Sequence, residues 1–455
     1  MSNNCLKNLV PCPRKAEKKD GLYVISEDSR VFVCDRTKKS YNFWLSKMNI
    51  TKIEKKPLSD DLFVVIIGDE NIEVPKISFT GEEAYKIVVN DDGIVIAANS
   101  EQGLSFGVRT LVKIYNMGKE IPALEIEDEP MVDMRAIHMC VFDTEDGSEK
   151  DDTSPEDLKR RIELAALLGY NHVFIEFWGM FPYERHPYAA WKHSNYSKEK
   201  IEEIVSFCID DLHIIPCPGQ NLTSHAGWSR ITTRRHVVLD QNPDMADMYI
   251  PGGWCFATEN PKTQSFLKDV IDELAEAFHN PPMFHICCDK AFGFGSTEED
   301  RTKPADMLFA HHVCNLNTYL SSKGIKTVMW ADMLYTSMDS LIFKCSPFVA
   351  EMLPKNILMD VWTHNDPGEY WHDIDFFEDK GYETVYSPFM NYQSIKNMVK
   401  LCIKKGSKGI VQTTWHRPEA AIPYFTYSAS IQWNMDFEPD EEKINEFIKV
   451  YGKNR

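Results

Sequence analysis

Residues 283–295 read MFHICCDKAFGFG, a mostly apolar run that stops at two adjacent charges, Asp289 and Lys290, and then enters a glycine-rich loop. Such a run is typical of a buried parallel strand whose carboxyl end delivers side chains to an active site. This stretch therefore predicts one strand of a parallel sheet, with a functional site directly after it.

From residue 132 onward, strand-like runs alternate with amphipathic stretches. Helices are predicted over residues 155–168, 198–212, 263–278, 304–322 and 391–405. The predicted strands cover residues 135–141, 172–177, 214–218, 283–288, 327–331, 357–361, 384–387 and 409–413. This alternation predicts an α/β fold of the (β/α)8, or TIM-barrel, type, whose functional side chains lie at the carboxyl ends of the strands.

The first part of the chain has a different pattern. Short β-like runs occur at residues 22–25, 31–33, 62–67, 85–89 and 94–98. The stretch Asn90-Asp91-Asp92-Gly93 is a hairpin signal, and Ser100 is the predicted N-cap of a helix. A charged joint with a proline follows at 125–130. The sequence therefore predicts a small α+β domain over residues 1–130 and a barrel over residues 131–455.

Composition restricts the classes of partner. The 455 residues carry a formal net charge of −19, which argues against nucleic acid and anionic membranes because their phosphates are repelled. No apolar run reaches the roughly 18 residues of a membrane span, and the first residues lack the apolar core of a signal peptide. The twelve cysteines are scattered, which favours reduced thiols. We therefore expect a cytoplasmic protein, and a homodimer is left open.

Aromatic and acidic residues follow the predicted strands. In chain order they include Asp143 and Glu145, Glu176 and Trp178, Gln220 and His225, Asp289 and Lys290, Trp330 and Asp332, Trp362 and His364, Asn391 and Tyr392, and Trp415, His416 and Glu419. Tryptophan faces stack on sugar rings while carboxylates take the hydroxyls, so this rim indicates a carbohydrate site. The alternative for each residue is a solvated loop, a helix cap or simple packing.

No metal or cofactor is predicted. Cys287 and Cys288 are adjacent in a predicted strand, so their side chains point to opposite faces and cannot bind one ion together. The acidic run at 143–146 lacks the ligand spacing of a calcium loop. The glycines after Lys290 lack the lysine pattern of a phosphate-binding loop.

Taken together, the motifs of this chain resemble those of a known family. The stretches that carry the resemblance are residues 9–13, 101–108 (EQGLSFGV), 134–136 (MRA), 214–217 (IIPC), 285–295, 328–333 (VMWADM), 360–362 (DVW) and 414–415 (TW). They resemble glycoside hydrolase family 20, the β-N-acetylhexosaminidases, and in particular its compact bacterial branch of exo-β-N-acetylglucosaminidases. The resemblance covers nearly the whole chain.

The resemblance implies a non-catalytic N-terminal domain, a catalytic barrel, and exo hydrolysis of β-linked N-acetylhexosaminides or a related sugar. In this family the substrate's own 2-acetamido oxygen attacks the anomeric carbon, and Asp289 matches the aspartate that orients the acetamide. Arg135 matches an arginine that grips the sugar hydroxyls. The other predicted substrate-binding residues are His225, Trp330, Asp332, Trp362, Tyr392, Trp415 and His416.

Lys290 departs from the family pattern, which implies a glutamate there as the acid that protonates the leaving oxygen. A lysine ammonium, with an ordinary pKa of about 10.4, is a poor acid near neutrality. Four interpretations stay open. In the first, another residue, such as Glu176, Asp332 or His416, gives the proton. In the second, the leaving group needs no proton and Lys290 stabilises its negative charge. In the third, the site binds sugar without hydrolysing it, and in the fourth, lysine is not the natural residue at this position.

The sequence thus predicts a glycosidase with Asp289, Lys290 and Glu176 as catalytic candidates. The alternative is a catalytically silent carbohydrate-binding or sensing protein on the same scaffold.

Overall fold

The computed structural model describes Leu6 and residues 9–37, 40–142, 153–228, 236–336 and 345–452. A seven-stranded sheet precedes a closed barrel of eight parallel strands. The predicted fold class, a (β/α)8 barrel after a sheet-rich N-terminal region, is confirmed. Asp143 and Glu145 lie outside the described residues. Within the described ranges, no helix is long and apolar enough to cross a membrane.

The first sheet carries two helices, α1 (Ser40–Ser46) and α2 (Glu101–Met117). Its strands, in sheet order, are β1 (Lys15–Val24), β7 (Glu120–Asp128), β5 (Tyr85–Asn90), β6 (Gly93–Ala98), β4 (Phe63–Gly68), β2 (Val31–Cys34) and β3 (Ile53–Lys56). As predicted, Ser100 caps α2, and its hydroxyl accepts a hydrogen bond from the Gly103 amide. A Cβ atom at Gly103 would lie 2.6 Å from the Ala84 carbonyl oxygen, so glycine allows α2 to pack closely on the sheet.

The barrel closes because its last strand pairs with its first. Its strands are β8 (Met134–Phe142), β9 (His172–Trp178), β10 (Ile215–Gly219), β11 (Met283–His285), β12 (Lys326–Trp330), β13 (Leu358–Trp362), β14 (Glu383–Ser387) and β15 (Gly409–Thr413). The helices of this part are α3 (Pro155–Leu167), α4 (Lys198–Ser206), α5 (Val237–Gln241), α6 (Pro261–Ala277), α7 (Ala305–Ser322), α8 (Val349–Met352), α9 (His372–Asp379), α10 (Tyr392–Lys405), α11 (Ile422–Trp433) and α12 (Glu441–Tyr451).

The barrel interior changes from apolar to polar along its axis. Near the amino ends of the strands, one buried apolar cluster contains Met134, Ala136, Phe174, Cys217, Met283, Val328, Leu358, Val385 and Val411. Further along the same strands, the buried residues are polar and include His138, Glu176, His285 and Asp360. Within this layer, which lies beneath the carboxyl ends, His138 pairs with Glu176 and His285 lies 3.4 Å from Asp360.

The predicted barrel strands agree with the observed ones to within one residue, except at β11. That strand ends at His285 rather than at residue 288, because Cys287 and Cys288 have φ values of +58° and +76°, which no extended strand can accommodate. The sequence also missed α1, β3, β7 and most of β1. Strand β1 is charged and almost wholly exposed, so it lacks the alternation by which strands are recognised.

Arg135 connects the barrel to the first sheet. It lies at the amino end of β8, is 1% exposed, and donates to Oε2 of Glu83 at 2.7 Å and to the carbonyl oxygens of Val132 and Gly169 at 2.7 and 2.9 Å. This placement does not support the prediction that Arg135 grips sugar hydroxyls. Its guanidinium is engaged at the end of the barrel opposite to the predicted site.

Candidate active site at the carboxyl end of the barrel

The chain leaves β11 in a strained turn. Cys287, Cys288 and Lys290 all have φ in the left-handed region, with Lys290 at +48°. L-residues avoid this region at a cost of about 1 kcal/mol or more each, so surrounding contacts must hold the turn in place.

Hydrogen bonds from other parts of the barrel hold this turn. The Ser224 hydroxyl donates to the carbonyl oxygen of Asp289, and Trp254 Nε1 donates to that of Lys290 at 2.8 Å. The Lys290 amide donates to Oδ2 of Asp332 at 3.2 Å. Ser224 and Trp254 belong to the long segment between β10 and α6, and Asp332 follows β12. Separate parts of the barrel therefore fix the direction of the Asp289 and Lys290 side chains.

Asp289 and Lys290 form an ion pair. Nζ of Lys290 lies 2.7 Å from Oδ2 of Asp289, and Nε2 of His225 lies 3.6 Å from the same oxygen. Burial by itself raises the pKa of Asp289, but the Lys290 ammonium and the His225 ring outweigh it and hold that pKa well below its ordinary value. Burial lowers the pKa of Lys290, but Asp289 and Asp332 reverse this, so the net pKa is raised. Both groups are charged at neutral pH.

Three tryptophans surround this pair. Nζ of Lys290 lies 4.4 Å from the ring centroid of Trp362 and 5.6 Å from that of Trp415. Trp330 is fully buried beneath, with its ring centroid 5.3 Å from that of Trp415. We call Asp289, Lys290, Asp332 and these three tryptophans the mouth cluster. Cation–π attraction of about 0.5–2 kcal/mol adds to the ion pair in holding the ammonium there.

Asp332 is the second carboxyl group of the mouth cluster. Its Oδ1 accepts a hydrogen bond from Trp362 Nε1 at 3.1 Å, and its side chain is buried. Burial raises the pKa of Asp332 to about 6, against the lowering effect of Lys290 and with a further rise from Asp289. A carboxyl group with such a pKa can give and take a proton near neutral pH.

Glu176 lies deeper than the sequence predicted. It is 1% exposed, and its Oε2 lies 2.8 Å from Nε2 of His138, while Oε1 accepts a hydrogen bond from the Asn221 amide. Both carboxylate oxygens are therefore engaged inside the barrel. Glu176 is therefore part of the layer beneath the mouth cluster, and its role as a catalytic residue stays a prediction.

His416 and Tyr392 differ in their relation to the site. The His416 ring packs edge-on against Trp178 at 4.7 Å, and Trp178 in turn contacts His225, so His416 lies at the border of the mouth cluster. The Tyr392 ring instead stacks on Tyr424 of α11 at 4.6 Å. This placement does not support the prediction that Tyr392 reaches the sugar. Phe389, three residues earlier, instead contacts the His364 ring, which lies next to Trp415.

Sequence reasoning missed three residues that hold the site. Trp254 fixes the Lys290 carbonyl, and Asn221 and His138 fix Glu176. Trp254 lies far from any predicted strand end, and only the fact that it is a tryptophan could have indicated a place near the site. His138 is the fifth residue of β8. The alternation of side chains along a strand predicts that His138 points into the barrel, but it does not predict that Glu176 is its partner.

Buried carboxylates and tryptophan faces at the mouth of a parallel barrel are typical of barrel enzymes that process carbohydrate. The comparison with known families is specific. Residues 179–429 match the model described as "Glycosyl hydrolase family 20, catalytic domain", and residues 7–129 match "Glycosyl hydrolase family 20, domain 2". The chain belongs to glycosyl hydrolase family 20.

Individual proteins of known sequence or structure are also similar to this chain. Hexosaminidase D of Bos taurus is 26% identical in an alignment of 189 positions that covers 39% of this chain and 51% of that protein, so this chain spans about half of its length. The β-N-acetylhexosaminidase of Streptomyces coelicolor A3(2) superposes with a TM-score of 0.72 at 15% identity, covering 99% of this chain and 97% of that one. The chitobiase of Flavobacterium johnsoniae gives 0.71 at 19% identity, covering 99% and 73%. At these identities the superpositions show the fold.

Proposed function

We propose that the protein is an exo-acting glycoside hydrolase for β-linked N-acetylhexosaminides or a closely related sugar. The observation that carries this proposal is the Asp289 carboxylate, which is held ionised by Lys290 and His225 within the tryptophans of the mouth cluster. Membership of glycosyl hydrolase family 20 and the hexosaminidase names of its relatives support the same substrate class.

In this proposal Asp289 orients the 2-acetamido group. Lys290 and His225 both contact Oδ2 of this carboxylate, and in the proposal Oδ1 accepts a hydrogen bond from the acetamide N–H. The acetamide oxygen then attacks the anomeric carbon while the bond from that carbon to the leaving oxygen breaks. A carboxylate that stays ionised stabilises the positive charge that develops on the acetamide.

Asp332 is the proposed proton donor. Its pKa of about 6 makes it partly protonated near neutrality, whereas Lys290 is a poor acid because its pKa is raised. In this step the hydrogen bond from Trp362 or from the Lys290 amide to Asp332 gives way, and the Asp332 proton passes to the leaving oxygen. Water then adds to the anomeric carbon, regenerates the acetamide, and returns a proton to Asp332. General acid catalysis of this kind contributes typically about 10²–10⁴-fold.

A screen of matched aryl β-glycosides, with and without the 2-acetamido group, tests the substrate class. We expect saturable hydrolysis of the 2-acetamido glycosides and at least a tenfold lower kcat/KM for the 2-hydroxy glycosides. Equal rates on both would rule out participation of the acetamide. An alkyl 2-acetamido glycoside in the same screen tests the proton donor, since its basic leaving group requires protonation and an activated nitrophenol does not.

One observation favours a second function, sugar binding without hydrolysis. The Lys290 ammonium lies against the faces of Trp362 and Trp415 and pairs with Asp289. It therefore contacts the same side chains that the proposed hydrolysis would use to hold the sugar. Lys290→Glu separates the two functions. A large gain of hexosaminidase activity over an inactive parent identifies a silenced enzyme, whereas an active parent that gains little is a hydrolase with a different acid.

A further inference from the structure

We propose that His138, Cys140 and Glu176 form a zinc site inside the barrel, beneath the mouth cluster. The three donor atoms, an imidazole nitrogen, a thiol sulfur and a carboxylate oxygen, all lie within 4.8 Å of one another, and all three residues are buried. Imidazole, thiolate and carboxylate are the ligands that zinc takes in proteins.

The distances suit a tetrahedral ion. Glu176 Oε2 lies 2.8 Å from His138 Nε2 and 3.9 Å from Cys140 Sγ. Zinc bonds of about 2.0–2.3 Å at tetrahedral angles place ligand atoms about 3.3–3.6 Å apart. Zinc would therefore need shifts of about half an ångström in these side chains. Strands β8 and β9 hold them rigidly, because Cys140 and Glu176 are direct partners in the strand register.

Two features of the surroundings suit a bound ion. Asn221 donates to the other oxygen of Glu176, which is how outer groups orient a ligating carboxylate. A divalent ion bound by one thiolate and one carboxylate is electrically neutral, so the site buries no net charge.

Because the site is enclosed, zinc would bind as the chain folds and would strengthen the barrel.

The test uses the full-length chain produced in medium supplemented with zinc or cobalt. We expect about one zinc per chain by elemental analysis, and cobalt-loaded protein should show the intense visible bands and the near-ultraviolet sulfur-to-metal band of tetrahedral thiolate coordination. Cys140→Ser should lose the sulfur band and at least tenfold of the bound metal. The matched control is Cys217→Ser, which removes a buried thiol from the apolar cluster of the same barrel and should keep both.

Two results would overturn the zinc site. The first is folded wild-type protein with less than a tenth of an equivalent of metal and no sulfur-to-metal band after growth in either metal. The second is the same metal content and spectrum in Cys140→Ser as in the wild type. The spectrum of the wild type decides the question even if Cys140→Ser fails to fold, and glycosidase activity enters neither readout.

Discussion

Nζ of Lys290 lies 2.7 Å from Oδ2 of Asp289, so two chain neighbours form an ion pair at the mouth of the barrel. Side chains of adjacent residues in an extended strand point in opposite directions. The pair is possible here because the turn after β11 places Lys290 in the left-handed region. The strained turn therefore brings the Lys290 ammonium against Asp289, and this contact keeps the buried Asp289 carboxylate ionised.

Lys290→Met should reveal the strength of this pair. Removing Lys290 leaves the buried Asp289 carboxylate with His225 as its remaining contact, and we expect a loss of about 2–4 kcal/mol in the free energy of unfolding. Asp289→Asn with Lys290→Met should recover part of that loss. Urea unfolding of the wild type, both single variants and the double variant measures the coupling.

Lys47 and Glu163 provide the matched control, since their ion pair is 2.6 Å long but more than a third exposed at both side chains. The same cycle there should give a coupling below about 1 kcal/mol. Equal couplings at the two pairs would show that burial adds nothing to the Asp289–Lys290 interaction.

Asp332 should give the pH profile its alkaline limb. The raised pKa of about 6 means that the acid form predominates below pH 6 and is lost above it. The kcat/KM for an alkyl glycoside should therefore fall as the pH rises through about 6. Asp332→Asn should remove this limb and lower kcat/KM by about 10²–10⁴-fold. The control is Asp373→Asn, which alters a buried carboxyl group that binds Thr336.

Trp362→Phe should shift that limb without removing it. The substitution keeps an aromatic face but deletes the Nε1 hydrogen bond that lowers the pKa of Asp332. The limb should then move to higher pH. A limb that stays in place or moves to lower pH would show that Asp332 is not the titrating group.

Arg135→Met should change stability and leave sugar binding unaffected. The guanidinium contacts Glu83 and carbonyl oxygens far from the mouth cluster, so its loss leaves partners unsatisfied at a cost of about 2–4 kcal/mol. Chemical unfolding measures this loss, and titration of the folded variant with N-acetylglucosamine should give a Kd within twofold of the wild type. A tenfold weaker Kd with unchanged stability would restore Arg135 to the sugar site.

Much of this architecture could be predicted from local patterns. The barrel strands follow from runs of buried apolar residues, and Asp289, Trp330, Asp332 and Trp415 follow from the rule that functional groups lie at the carboxyl ends. These predictions needed only the spacing of apolar residues along the chain and the position of each residue in its strand.

The rest depends on contacts that local patterns do not encode. Arg135 and Glu176 are both charged residues of barrel strands, yet one is bound at the amino end and the other inside the polar layer. The bond from Trp254 to the Lys290 carbonyl joins residues 36 positions apart across a long loop. The depth of a side chain in the barrel and the contacts of a long loop depend on several strands, so the sequence of one strand does not give them.

The kcat/KM of Asp289→Asn on an aryl β-N-acetylglucosaminide tests the proposed function most directly. The account predicts measurable hydrolysis by the wild type, a fall of at least a hundredfold in Asp289→Asn, and near wild-type activity in Asp373→Asn. Hydrolysis that survives unchanged in Asp289→Asn, or wild-type protein that binds the sugar and releases no product, would contradict it.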